Sequence, residues 1–218
     1  MQKKMLWGIL LIAIALLLVG GGVFAYFSDT ETASGNSFAA GTLNLQVGSA
    51  DPCTEHMTVA NMKPGDTGNV ANWLCTNTGS ITGDLTVACG AITNSGNTLT
   101  EPEQQAGEGV STGDLGGQLT VAFWMDADKS GTWTSGDYYL KSDGTKVSFQ
   151  MGDSGLPAGA YATLNSYDSK TWTGCQTNIA GATDLGNFRC EYNLPTATTN
   201  IVQSDSSVFT LTFTLNQH

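Results

Sequence analysis

The sequence predicts an all-β protein, a jelly-roll-like antiparallel β-sandwich with long loop insertions, preceded by an N-terminal signal helix. Two observations support this fold class. Short runs of alternating apolar and polar residues recur between turn residues, and long helical periodicities are missing from them. Glycine is abundant, with 27 among 218 residues, and short strands separated by frequent turns are typical of sandwiches and barrels.

The N-terminus has the three-part layout of a secretory signal. Two lysines form a basic region, the apolar run 5–19 follows, and three glycines lead to Val23 and Ala25, which place short or small side chains at positions −3 and −1 of the cleavage site. We therefore expect residues 1–25 to be a signal peptide that signal peptidase cuts between Ala25 and Tyr26. The apolar run is shorter than the ~20 residues that a membrane-spanning helix needs. An uncleaved N-terminal anchor is the alternative interpretation.

Removing the signal peptide would leave a strongly acidic chain. The whole sequence has a net charge of −11, and the part that is removed contains two lysines and no acid, so the mature charge is −13. This acidity argues against nucleic acid as a partner and favours solubility and cation binding. We expect one β-sandwich domain over residues 38–218, because a chain of this length can bury a sizeable core.

Alternation of apolar and polar residues places the strands. The predicted strands are residues 43–47, 119–125, 146–151 and 208–215. Residues 119–125 and 146–151 are expected to lie in the interior. Residues 94–117 are polar and predict a long surface loop, and residues 154–188 predict an irregular insertion packed over one sheet.

All the cysteines follow the signal peptide, and exported proteins can keep disulfides. Cys75 and Cys89 flank a turn and are expected to face each other across neighbouring strands. Cys175 and Cys190 are expected to close an irregular loop, and each disulfide would contribute ~3 kcal/mol by restricting the unfolded chain. Cys53 would be unpaired, would replace one of these partners, or would reach another subunit.

The loop DADKSGTWTSGD, residues 126–137, has the spacing of a calcium-binding loop. Its predicted ligands are Asp126, Asp128, Ser130, Thr132 and Asp137. Gly131 stands where such loops turn sharply. The flanks are strand-like, so we expect an EF-hand-type loop within a β-hairpin that binds a structural Ca²⁺. The alternative is an Asx-rich turn that binds no ion.

The sequence offers little that resembles a catalytic site. Its two histidines are His56 and His218, and it contains no HExxH or phosphate-binding-loop motif. Acidic pairs occur, but a chain this acidic always contains some. We therefore expect that the protein is not an enzyme.

Three stretches resemble the TasA/camelysin family of exported β-sandwich proteins. They are GGGVFAYFSDTETASGNSFAAGTLNL at residues 20–45, MKPGDTG at 62–68 and CTNTGSITGDLTV at 75–87. The resemblance implies a secreted, cell-surface subunit of an extracellular filament, either a biofilm matrix fibre or a pilus related to archaeal bundling pili. Its partners would be other copies of itself and neighbouring filaments in bundles.

The resemblance also implies assembly by donor-strand complementation, in which residues 26–37 leave their own subunit and complete the sheet of the next. Tyr26, Phe27 and Phe38 would then fill pockets in the neighbour. Such a contact is heterologous and generates a filament if it does not close. The alternative for this segment is an ordinary disordered terminus.

Two other functions remain open at this point. One is a secreted or surface-anchored camelysin-like metallopeptidase. The other is a monomeric adhesion or polysaccharide-binding module, whose contact face would use exposed aromatic side chains such as Trp133 and Trp172.

Overall fold

A computed structural model describes residues 2–21, 39–107 and 113–217 of the chain. The chain divides into two compact units, the first ending at Ala39 and the second beginning at Ala40. The first unit contains one α-helix, α1 (Gln2–Gly21), which includes the apolar run of the predicted signal. Within the described ranges, no helix combines the length and the apolarity that crossing a membrane requires.

Several predictions fall on residues that the structure does not describe. The cleavage site between Ala25 and Tyr26 lies outside the described residues, as do Phe27 and Phe38. The whole predicted donor segment, residues 26–37, lies outside them too. These assignments therefore stay predictions.

Strands are the main regular secondary structure of the second unit. Its strands are β1 (Leu45–Val47), β2 (Thr67–Asn77), β3 (Gly83–Cys89), β4 (Thr93–Ser95), β5 (Thr120–Asp126), β6 (Tyr138–Leu140), β7 (Lys146–Ser148), β8 (Ala162–Thr163), β9 (Thr171–Ile179), β10 (Thr183–Asn193), β11 (Ser206–Val208) and β12 (Leu211–Gln217). Its helices are α2 (Glu101–Gln105), α3 (Leu115–Gln118) and 3₁₀ turns at Ala158–Ala160, Leu164–Tyr167 and Asn200–Val202.

These strands form two main antiparallel sheets, which confirms the all-β sandwich. The larger sheet has seven strands in the order β1-β2-β10-β5-β6-β7, with β8 beside β5. The smaller sheet has three strands in the order β12-β3-β9, and β4 pairs separately with β11. The chain crosses from the larger to the smaller sheet between β2 and β3, so these consecutive strands are not neighbours.

The core lies between the two sheets, and its centre is aromatic. The ring of Phe188 on β10 stacks at 6.0 Å from Trp73 and at 5.9 Å from Phe123. Phe213 of the smaller sheet meets the same ring edge-on at 4.9 Å. Since both sheets contribute rings to this cluster, the cluster holds them face to face.

Strand β5 is buried on both faces, as is its short neighbour β6. A second apolar cluster covers its outer face, where Trp124 and Trp133 meet edge-on at 6.0 Å and Tyr139 packs beside them. The chain that follows β7 packs against this cluster through Phe149 and Leu156. The Asp-rich loop that follows β5 therefore begins on a strand fixed from both sides.

The alternating pattern predicted some strands well and others less well. The interior strand at 119–125 is confirmed as β5. The stretch 208–215 divides between β11 and β12, and its apolar residues do share the core-facing side. The prediction of an interior strand at 146–151 was wrong, because β7 is a short, largely exposed edge strand.

Both predicted insertions are more regular than their composition indicates. Residues 94–117 are not a surface loop throughout, because Glu103 of α2 and Leu115 of α3 are buried. Residues 154–188 are not an irregular insertion, because they include all of β9 and the first half of β10. In the second stretch, register shifts on β9 and β10 interrupt the alternation, which weakens a period-two signal.

The cysteines are all free thiols, and the predicted pairs Cys75–Cys89 and Cys175–Cys190 are not formed. Cys75 lies in the larger sheet and Cys89 in the smaller one, so they do not face each other across neighbouring strands. The members of the second pair also lie in different sheets. These four thiols belong to the buried core, whereas Cys53 is exposed.

Burial makes the core thiols hard to ionise. It raises the pKa of Cys75 to about 12 and that of Cys89 and Cys175 to about 11. Since the thiolate is the reactive form, we expect a maleimide to label Cys53 alone in the folded protein at neutral pH. After unfolding without reductant, all five thiols should react, which mass spectrometry can count. Labelling of fewer thiols after unfolding would show that disulfides form in the exported protein.

Candidate functional site

The Asp-rich loop connects two neighbouring strands of the larger sheet. β5 ends at Asp126, and β6 begins directly after Asp137. The loop reverses its direction through left-handed residues, with φ of 60° at Lys129, 77° at Gly131 and 100° at Gly136. The two glycines adopt this backbone without steric cost. The hairpin thus brings Asp137, its last carboxylate, back beside Asp126, its first.

The three predicted carboxylate ligands come together in this loop. Oxygens of Asp126, Asp128 and Asp137 all lie within 4.8 Å of one another. Asp126 and Asp137 are fully buried, whereas Asp128 is exposed. Such a set of hard oxygens suits Ca²⁺.

The loop's own amide groups hold these carboxylates in place. The amide of Ser130 donates to Asp126 and to Asp128, at 3.0 Å in each case. Asp137 accepts from the amides of Ala127 and Thr134 at 2.8 and 2.7 Å. These bonds orient the carboxylates toward one point, although they also satisfy much of the acceptor capacity.

The predicted neutral ligands lie in the same turn. The Ser130 hydroxyl donates to the Thr132 carbonyl oxygen at 3.1 Å, so these two oxygens are adjacent. The structure therefore keeps all five predicted ligands within one hairpin loop, and it brings the three carboxylates closest together.

Charge in the loop is unevenly distributed. Hydrogen bonds from Ser130 and Thr134 lower the pKa of Asp128 to about 2. Burial raises the pKa of Asp137, and the charges of Asp126 and Asp128 add to this effect. A divalent cation at this position would relieve the mutual repulsion of the carboxylates.

Arg189 of β10 flanks the cluster on the sheet side. Its guanidinium contacts Asp126 at 3.3 Å and lies over the ring of Trp124, 5.1 Å from the ring centroid. It also donates to Asn72 at 3.1 Å. The loop is therefore anchored to the central strands of the larger sheet.

A second feature is an apolar groove of about 710 Å³ on the core side of the larger sheet. Its apolar lining is contributed by Met57, Val59, Met62, Val70, Leu115, Leu119, Val121, Leu164, Cys190, Tyr192, Leu194, Val202 and Phe209. Residues 199–207, the segment that leads into β12, form its other border. The groove is large enough for several side chains of an added segment.

The sandwich is closed along one edge of its smaller sheet and incompletely closed along the other. On β9, the core-facing side chains of Trp172, Cys175 and Ile179 are buried. On β12, the equivalent side chains of Phe213 and Leu215 are only half-buried, although they pack on the same core. In the described residues, β12 pairs with β3 alone, so its outer edge is free for another strand.

The sequence patterns did not predict this groove. Part of its wall is residues 57–64, a stretch without regular secondary structure in which Met57, Val59 and Met62 are half-buried. The apolar residues of this segment, which has no strand partner, were the feature of the sequence that could have indicated the groove. The groove itself depends on which strands meet, and that information is not local.

The other candidate residues lie away from both features. Trp133 and Trp172 are buried, with exposures of 7% and 1%, so they cannot form an exposed aromatic contact face. His56 is exposed and does not belong to the carboxylate cluster. His218 lies outside the described residues.

The fold and its two sites define an acidic β-sandwich protein with a carboxylate-rich hairpin loop and an apolar groove on the core side of its larger sheet. The sequence model of the camelysin metallo-endopeptidase family matches residues 1–217. The chain therefore belongs to this family.

A curated relative is the protein named "Major biofilm matrix component" of Bacillus subtilis (strain 168), which is 41% identical over 66 residues. The match covers 30% of this chain and 24% of the relative, so the chain spans about a quarter of the relative's length.

Proposed function

We propose that this protein is a structural subunit of an extracellular biofilm matrix filament, assembled by donor-strand complementation through its mature N-terminus. The apolar groove, one border of which is the segment that leads into β12, is the observation that carries the proposal. The outer edge of β12, which pairs with no strand among the described residues, supports it separately. The similarity to a biofilm matrix component supports the matrix role and a location outside the cell.

The groove matches what the N-terminal segment can supply. An added strand would hydrogen-bond along the edge of β12, which satisfies its backbone groups. Its side chains would then cover the half-buried apolar residues of that edge. Tyr26, Phe27 and Phe38 are the aromatic residues of the segment and its flank, and each would gain about 1.5–3 kcal/mol on full burial.

A subunit cannot fill the groove of its neighbour and its own with the same segment. The contact is therefore heterologous, and it leaves one free donor and one free acceptor at every stage of growth. An uncleaved signal would keep the donor end attached to α1. Removal of the signal would thus start polymerisation.

Deleting residues 26–37 from the mature protein tests the mechanism. We expect the shortened protein to remain monomeric in size-exclusion chromatography and to form no filaments in negative-stain microscopy, because its groove has no partner strand. A synthetic peptide of residues 26–38 should bind the shortened protein and raise its melting temperature, since it binds the folded state alone.

A peptide of the same composition in scrambled order is the matched control, and it should leave the melting temperature unchanged. Filaments formed by the shortened protein would refute the donor-strand mechanism. A mature full-length protein that never forms filaments would refute the structural role itself.

The family description leaves peptidase activity as the second candidate function. The carboxylate cluster is the feature that favours it, because a metal ion held there could activate water. The cluster contains no histidine, however, and the amides of its own loop occupy much of its acceptor capacity. Cleavage of peptides by the purified monomer, lost on chelation and restored by a metal, would decide for the peptidase.

We propose that the Asp-rich loop binds one Ca²⁺ ion with a structural role. The convergence of Asp126, Asp128 and Asp137 supports this proposal, as does the nearby pair of neutral oxygens from Ser130 and Thr132. The ion would neutralise the clustered charge and stiffen the hairpin. Because the loop begins on β5, which also contributes Val121 to the groove, calcium would stabilise the acceptor sheet.

A further inference from the structure

The outer face of the three-stranded sheet is nearly uncharged and rich in threonine. Its core-facing side chains alternate with outward ones that are exposed or half-buried. The outward residues include Thr86, Ala88, Thr171, Thr173, Thr212 and Thr214. The strand register places Thr214 opposite Thr86, and it places Thr212 and Thr171 on either side of Ala88, so small β-branched side chains lie next to each other across the sheet.

This face differs from the rest of the molecule in its charge. The chain contains 19 acidic and 8 basic residues, yet Asp84 is the only charged residue on β3, β9 and β12. The Asp84 carboxylate accepts the amide of Asn178 at 2.8 Å within the same sheet. Two copies of so acidic a protein repel each other, and the repulsion is weakest where neither copy presents charge.

Threonine also lowers the cost of forming a contact. A β-branched side chain has few rotamers, so ordering it loses less entropy than ordering lysine or glutamate. A flat sheet can pack on an identical sheet at ~10 Å, and the same patch then serves both copies. The chemistry of the face therefore fits a second copy of this chain.

The area of the face determines when such a contact can form. Seven residues on β12 and β3 extend over about 24 Å, and three strands span about 14 Å, which gives roughly 340 Å² per copy. Stable complexes bury about 800 Å² per partner. One face is too small for a dimer of free subunits, whereas a filament presents it many times, and repeated weak contacts add up.

We infer that this threonine face is the lateral contact between filaments of the chain and has no effect in the free subunit. The inference rests on the proposed filament function. It applies to a surface on the side of the smaller sheet opposite the core, and it is therefore separate from the groove that would receive the donor strand.

Introducing charge on the face tests the inference. The double variant Thr86→Glu/Thr173→Glu leaves β12 unchanged and adds four negative charges across a contact between identical faces. We expect this variant to form as many filaments as the parent protein, but the filaments should not associate into bundles. The amount of material that pellets at low speed should fall at least tenfold, and microscopy should show filaments of uniform width. Parent bundling should increase with salt, because salt screens the overall repulsion.

The matched control places the same charges on exposed strand positions of the larger sheet, as Thr67→Glu/Thr183→Glu, and should bundle like the parent. If the double variant fails to fold by circular dichroism, Thr171→Glu on β9, the other edge strand of this sheet, gives the same test with one charge. Bundles that persist in the charged variants would overturn the inference, as would equal loss in the control.

Two further outcomes would also overturn it. Parent filaments that stay single at every salt concentration would overturn the lateral contact but leave the filament function intact. A charged variant that bundles normally but no longer retains a neutral polysaccharide would reassign the face to glycan binding. The absence of filaments from the parent protein would remove the proposed function together with this inference.

Discussion

Replacing Phe188 with alanine should lower the free energy of unfolding by about 3–5 kcal/mol, the usual range for removing a buried phenylalanine. The ring is 1% exposed and contacts Trp73, Phe123 and Phe213, which come from both sheets. The cavity left behind would separate the two layers at their centre. Since domains are stable by only about 5–15 kcal/mol, this single change would remove a large share of the stability.

Chemical denaturation followed by tryptophan fluorescence measures this effect. The mature protein without residues 26–37 is used, so that the proposed polymerisation does not interfere. Val208→Ala is the matched control, because that side chain is 66% exposed, and its effect should stay within about 0.5 kcal/mol. A loss below about 1 kcal/mol for Phe188→Ala would contradict the view that this ring joins the two sheets.

Calcium should stabilise the parent protein by about 2–3 kcal/mol at 10 mM, if the loop binds with a dissociation constant of ~10⁻⁴ M as extracellular modules do. Asp128→Asn should abolish most of this gain. Asp128 is exposed, so the substitution removes a ligand charge with little disturbance of the core. The measurement is the denaturation midpoint with calcium and with chelator.

Asp143→Asn is the control for this experiment. Asp143 is an exposed carboxylate in the turn between β6 and β7, paired with Lys141 at 2.7 Å and outside the carboxylate cluster. It should keep the full calcium response. Equal stabilisation of the parent and Asp128→Asn by calcium would show that the ion binds elsewhere, and no stabilisation of either would show an Asx-rich turn without an ion.

The parts of the fold that depend on local pattern could be predicted from the sequence. The apolar run of β5 and the spacing of Asp126 to Asp137 each lie within a short stretch, and both had the expected placement. The core-facing alternation of β12 was equally clear. In each case the physical cause, strand pleat or turn geometry, acts between near neighbours.

The remaining features depend on distant contacts. β9 contains Gly174, which has a left-handed backbone conformation, and the register of β9 against β3 shifts. The alternation of apolar and polar residues in β9 is therefore broken between Trp172 and Cys175, which both point into the core. The cysteine pairing failed because the β2–β3 connection changes sheets rather than forming a hairpin. The groove requires β2, β5, β10 and the residues before β12 together, and no short window contains them.

The pairing of β2 with β10 has a consequence for the order in which the chain folds and assembles. Cys75 on β2 lies opposite Gly186 on β10. The larger sheet therefore cannot form until β10, which comes late in the chain, is available to pair with β2, which comes early. Contacts of such long sequence separation form slowly. Under the proposed donor-strand assembly, a chain that is exported from its N-terminus would therefore release its donor end well before its own acceptor exists. Growth would then favour chains adding to subunits that have already folded, which gives the fibre a direction of elongation.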